Sequence, residues 1–199
     1  MKWSLLLAGL LWSAQVWAHG PTPQKTDEST QVNAAAEAVW KRVSAPCGLA
    51  QWHPQVTACE AVNDKQQKIT LKNGKQLLQE IDEVSAADMT VAYRLSGDID
   101  LEALPVSSLN GKIKVVAEGA ANSKVVWTAR YYRAFTGNEP PAGQDDESAK
   151  TAVDAFVKEG LQGLKDGRQN AAANQSGWRK KMCLAMRPVF KSLGLSVCA

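Results

Sequence analysis

His53 and Glu80 are the two side chains of this sequence whose types and settings could serve acid-base chemistry. His53 stands between Trp52 and Pro54, and Glu80 lies in a run with the apolar Leu77, Leu78 and Ile81. General acid-base catalysis needs such a pair within hydrogen-bond reach of a substrate. His53 with Glu80, assisted by Arg94 or Arg130, is the one pair the sequence offers, and nothing in their spacing demands that they meet. A nucleophile elbow, a phosphate loop and a dinucleotide fingerprint are all missing. We therefore expect no catalytic residue. The expected chemistry is binding in an apolar cavity with a few polar groups, lined by Trp52, His53, Glu80, Tyr93, Trp127 and Tyr131. Each has a plainer alternative: large aromatics fill ordinary cores, a histidine before proline shapes its own loop, and a strand glutamate usually faces solvent.

Four cysteines, Cys47, Cys59, Cys183 and Cys198, permit three disulfide pairings. Short separations favour Cys47 with Cys59 and Cys183 with Cys198, with free buried thiols as the alternative. No C-x-x-C spacing occurs, and the histidines are His19 and His53, so a zinc ligand set would be hard to fill. We expect neither a metal nor another cofactor. His19 would become the amino terminus after the cleavage described below, and its amine and imidazole could then hold copper. A disordered leader is the plainer role. Asn174-Gln175-Ser176 is a glycosylation sequon, which matters only in a eukaryotic host.

These residues must be positioned by a chain that opens with Lys2, an apolar run from Leu5 to Trp12 and the small-x-small site Val16-Trp17-Ala18. That pattern reads as a secretory signal over residues 1–18 and predicts a periplasmic or secreted protein. The run is too short to span a bilayer and no later segment is longer, so no membrane span is expected. With 23 basic against 20 acidic side chains, nucleic-acid binding is not expected either. Two prolines, Pro21 and Pro23, make residues 19–28 an extended leader. A domain over residues 29–167 follows: a strand at 28–33, a helix over 34–43, a helical turn at 48–52, then strands at 57–63, 67–72, 75–84, 89–96, 111–118 and 123–134. Short connections indicate antiparallel pairing, and Asn73-Gly74 signals a hairpin. Alternation along the last strand places Trp127 and Tyr131 inward. A long helix begins at an N-cap of Asp145 or Asp146 and carries Val153, Phe156, Val157, Leu161 and Leu164 on one stripe.

Residues 168–199 form a basic helical extension with six basic residues and no acidic one. Such a face is often merely solvated. It could also steer an acidic partner, with Trp178, Arg179, Lys180 and Lys181 as contacts.

The order of elements, with Val32-Asn33-Ala34 before Val39-Trp40, then Trp52-His53-Pro54, Leu71-Lys72-Asn73-Gly74, Tyr93-Arg94-Leu95, Leu104-Pro105-Val106, Val126-Trp127 and Gly160-Leu161-Gln162-Gly163-Leu164-Lys165, resembles the polyketide cyclase/START-like (SRPBCC) superfamily. That resemblance implies an α+β helix-grip fold, a curved antiparallel sheet wrapped around a long C-terminal helix with an internal cavity. Ala18 to Lys25, Tyr131-Tyr132-Arg133, Pro140-Pro141 and Asp146-Glu147 resemble, more narrowly, the periplasmic methanol-oxidation accessory proteins of methylotrophs (MxaD-like). The narrower resemblance implies a non-enzymatic helper of a quinoprotein methanol dehydrogenase and its c-type cytochrome; the mode of action we expect is protein contact, together with binding of a small apolar ligand. A carrier of a hydrophobic ligand unrelated to methanol oxidation and a cyclase- or dehydratase-like enzyme are the alternatives. The tail with Cys183 and Cys198 departs from the accessory-protein pattern.

Overall fold

Alternating side chains and connections too short for crossovers fold the middle of the chain into an antiparallel meander. A computed structural model describes residues 20–167. In chain order the elements are β1 (Gln24–Val32), α1 (Ala36–Val43), α2 (Leu49–Trp52), β2 (Val56–Ala61), β3 (Gln66–Leu71), β4 (Gln76–Ser85), β5 (Thr90–Ser96), β6 (Val106–Ala117), β7 (Ser123–Arg133) and α3 (Asp146–Lys165). The strands form one sheet in the order β1-β7-β6-β5-β4-β3-β2, every pairing antiparallel. With α3 against β1 and β7 on its inner face, this is the α+β helix-grip architecture. The signal segment, His19, the sequon, Trp178, Arg179, Lys180, Lys181, Cys183 and Cys198 lie outside the described residues. Among those described, no helix is long and apolar enough to cross a membrane.

α3 starts where its sequence predicts, because the Asp145 carboxylate accepts from the Ser148 amide at 2.7 Å and caps the first turn. Ala149, Val153, Val157, Leu161 and Leu164 bury one stripe against the sheet. Two glycines on that stripe set how closely the helix approaches. A Cβ on Gly163 would overlap the Trp52 carbonyl oxygen, and one on Gly160 would lie 2.5 Å from Trp127 Cζ3 and 2.7 Å from His53 Cδ2.

Two boundaries differ from expectation. β1 begins at Gln24, so residues 24–28 are paired strand rather than leader, in register from Gln24 opposite Tyr131 to Val32 opposite Ser123. The strand is polar on both sides, which hides it from hydrophobic patterning. β6 begins at Val106 rather than 111. Asn110-Gly111 looks like a turn, but Gly111 stands opposite Tyr93 in the sheet, and the Tyr93 ring occupies the place of its absent side chain. Gly74, at φ +80°, makes the expected hairpin turn between β3 and β4. The Cys47–Cys59 disulfide forms as expected, tying the loop between α1 and α2 to β2.

Candidate functional site

The ground beneath α3 is filled by aromatic rings. His53 stacks on Phe156 with centroids 4.1 Å apart, and Trp127 meets Trp52, His53 and Phe156 edge-on at 5.8, 6.0 and 5.9 Å. His53 is fully buried. Its Nδ1 accepts from the Gln55 amide at 3.1 Å, so Nε2 carries the proton and donates to the Phe156 carbonyl at 3.0 Å. Burial pushes its pKa down to about 4, which keeps the ring neutral. This histidine pins the segment after α2 to α3, and it lines neither inner void of the fold. Tyr131 is likewise structural. Its hydroxyl lies 3.1 Å from Thr26 Oγ1, which donates to Asp154 Oδ1 at 2.5 Å, and Asp154 pairs with Lys150. Since Thr26 spends its proton on Asp154, Tyr131 donates to Thr26, and the chain ties β7, β1 and α3 together.

A void of about 20 Å³ is left against α3, while a cavity of about 160 Å³ opens between the α1–α2 loop, the β2–β3 connection and the inner faces of β4, β5 and β6. Its apolar walls include Leu49, Trp52, Ile81, Val91 and Ile113, and Asp64 and Lys65 of the β2–β3 connection border it with opposite charges. Trp52 donates its ring N–H to the Arg42 carbonyl at 3.2 Å, which fixes it as wall. Tyr93 lines both voids, and burial holds its phenol well above the usual range. Its oxygen accepts from Trp127 Nε1 at 3.0 Å.

Gln79 is the polar side chain that sequence reasoning missed. It is 3% exposed and lines both voids. Gln67 Nε2 donates to Gln79 Oε1 at 2.6 Å, and the Cys47 amide donates to Gln67 Oε1 at 2.8 Å. Arg133 was also missed. Nearly buried, it binds the carbonyls of Phe135 and Gly137 at 2.8 and 2.7 Å and Asp146 at 3.1 Å, and so folds the corner between β7 and α3.

Of the six residues expected to line a cavity, Trp52 and Tyr93 do so; His53, Trp127 and Tyr131 belong to the packed interior. Glu80 is on the wrong side of the sheet. Ile69 faces Leu77 and both are buried, which puts Gln79 and Ile81 inward and Leu78 and Glu80 outward. There Glu80 pairs with Arg94 at 2.6 Å and accepts from Gln66 at 3.2 Å. The Gln66 hydrogen bond and the Arg94 charge hold its carboxyl below the usual range. The sheet therefore separates Glu80, Arg94 and the outward Arg130 from His53, and the one acid-base pair suggested by sequence does not form. No cluster of potential metal ligands occurs among the described residues.

The family model described as polyketide cyclase/dehydrase and lipid transport matches residues 23–167. No curated protein matches the chain. Solved structures share its fold: an uncharacterised protein from Bacillus thuringiensis (17% identity, 72% of this chain, 98% of that one, TM-score 0.62), an aromatase/cyclase, Zhui, from Streptomyces sp. R1128 (16%, 73%, 93%, 0.56), and a START superfamily protein from Mycobacterium smegmatis (14%, 72%, 97%, 0.53).

Proposed function

Because this chain belongs to the polyketide cyclase/dehydrase and lipid-transport family, we propose that it is an exported, non-catalytic member that binds one small, mostly apolar molecule in the cavity beside the α1–α2 loop. The observation that carries this reading is the cavity itself: about 160 Å³, walled by apolar side chains and bounded by a loop fixed through the Cys47–Cys59 disulfide. A cavity of about 150 Å³ accepts a single aromatic ring, and drug-sized ligands need roughly 300 Å³ or more. The occupant is therefore a ring or short chain, smaller than a polyketide or a lipid. Support for non-catalytic action comes from the buried wall, where Tyr93 is held protonated, and from His53, which is neutral and spent on structure. The test is native mass spectrometry of protein recovered from the periplasm, comparing wild type with Val91→Phe, which fills the cavity from β5. A bound mass of one-ring size in wild type that is lost in the variant supports the reading. Absence of any bound mass, together with no binding of one-ring probes by calorimetry, refutes it.

A second reading has its own support. The pieces that resemble the methanol-oxidation accessory proteins converge on one corner of the fold: Gln24 pairs with Tyr131, Arg133 bonds Asp146, and Tyr132 is exposed. From that corner along the strands, the outer face of β6 and β7 carries Arg130, Lys112, Lys114 and Lys124, none with an acidic partner among the described residues. Such a face speeds encounter with an acidic protein, and the dehydrogenase or its c-type cytochrome would be that partner. Trp178, Arg179, Lys180 and Lys181, which lie outside the described residues, are proposed as further contacts for such a partner. Salt-insensitive association with both proteins, or none, would remove this reading.

A further inference from the structure

The hydrogen-bond directions at the inner wall of the cavity fix what the occupant must offer. A backbone amide can only donate, so the Gln67 atom that receives the Cys47 N–H is its oxygen. The other end of Gln67 is therefore its amide nitrogen, which donates to Gln79 and makes the contacted atom of Gln79 its oxygen. That leaves the Gln79 NH₂ group as a donor, and no described residue accepts from it. The same logic holds across the cavity. An indole N–H can only donate, so the Tyr93 oxygen accepts from Trp127, and the phenol proton has no acceptor among the described residues. Both side chains are buried and both line the two inner voids; apolar side chains such as Leu49, Val91 and Ile113 line the same cavity, with the exposed Asp64 and Lys65 at its β2–β3 border. The sheet-side wall thus holds two unspent donor groups, the Gln79 NH₂ and the Tyr93 phenol.

Resting on the cavity reading above, we propose that the ligand is a small neutral carbonyl compound whose oxygen accepts from the Gln79 amide, with Tyr93 available to a second oxygen. A carboxylate at this wall is disfavoured, because the donors there are neutral and do not offset the cost of burying its charge, while the cation of Lys65 stands at the exposed β2–β3 border. A carbonyl oxygen brings no proton of its own, which suits a wall whose two unspent side-chain groups are donors. Gln67 acts as a positioning residue: with its oxygen committed to Cys47, it holds Gln79 with the NH₂ group toward the cavity.

The experiment compares acetophenone with α-methylstyrene, in which a CH₂ group replaces the carbonyl oxygen at nearly constant shape, and with benzoate. Binding is measured by calorimetry on the full chain with its disulfide intact. One hydrogen bond made inside an apolar wall predicts acetophenone binding about tenfold more tightly than α-methylstyrene, with benzoate weakest. In Gln79→Met the preference should vanish while α-methylstyrene keeps its affinity. Should that variant fail to fold, the side-chain NH₂ signals of Gln79 in ¹⁵N spectra of wild-type protein serve instead, moving with acetophenone and not with α-methylstyrene. Equal affinity for the two probes in wild type, or an undiminished preference in Gln79→Met, overturns the donor assignment and leaves the cavity reading standing. Failure of all three probes to bind overturns both.

Discussion

Gly163→Ala tests the packing of α3 by the sign of its effect. In a helix interior alanine is favoured over glycine by about 1 kcal/mol, so an unconstrained site should be stabilised. Here the added methyl would overlap the Trp52 carbonyl oxygen and lie 3.0 Å from Pro54 Cδ. Neither neighbour can rotate away: one is backbone, the other a ring held by its own chain. The helix or residues 52–54 must shift, and overpacking of this kind costs about 1–3 kcal/mol, more where backbone has to move. With both contacts rigid the upper end of about 3 kcal/mol applies, and subtracting the propensity gain of about 1 leaves a net loss of about 2 kcal/mol, equivalent to about 4–8 °C in melting temperature for a chain of this size. The assay is urea unfolding with the disulfide intact, followed by circular dichroism. A variant as stable as wild type, or more so, would show that α3 does not rest on the Trp52 backbone and would refute the argument.

Other expectations concern charge, cross-linking and the outer face. His53 has a folded pKa of about 4, below its ordinary 6.5, because burial penalises the charged ring, so the unfolded chain takes up its proton first. Stability should therefore fall by about 3 kcal/mol as pH drops from about 6.5 to about 4, and His53→Gln should flatten urea-derived stability across that window. Reducing Cys47–Cys59, which closes a short loop, should cost about 3 kcal/mol, and it should weaken ligand binding because the cavity wall loses its tether; calorimetry in the presence of reductant checks this. Glu80→Gln should leave cavity binding unchanged and stability within about 1 kcal/mol of wild type, whereas a tenfold loss of affinity would place Glu80 inside after all.

Much of the frame is legible in the sequence because local signals agree there. Asp145 before the stripe Val153, Val157, Leu161 and Leu164 specifies α3, and Asn73-Gly74 specifies the hairpin whose register then decides everything in β4. The site was harder. Leu77 and Leu78 put apolar residues on both sides of β4, so alternation alone cannot say whether Gln79 or Glu80 points inward. Pairing of Leu77 with buried Ile69 settles it, and that is a tertiary fact. The inward phase of Gln79 was readable only by trusting the hairpin register above residue chemistry, which favours glutamate as the interesting group. The same limit applies to His53, whose type suggests a base although two hydrogen bonds and a stacked ring hold it as a structural pin. The first four residues of β1, 24–27, escaped because the buried position there is Thr26, held by hydrogen bonds rather than by hydrophobic burial.

The order of strands has a consequence for how the protein is made. β1 pairs along its whole length with β7, about a hundred residues later in the chain, and the hydroxyl chain from Tyr131 through Thr26 ends on Asp154 in the last helix. A nascent chain that ends before Ser123 has nowhere to seat its first strand, and its inner face lacks the helix that covers it. Such non-local closure is slow and leaves partly folded chains exposed while synthesis continues. The sheet must therefore wait for β7 and α3 before it can close, a delay that would suit the export proposed above.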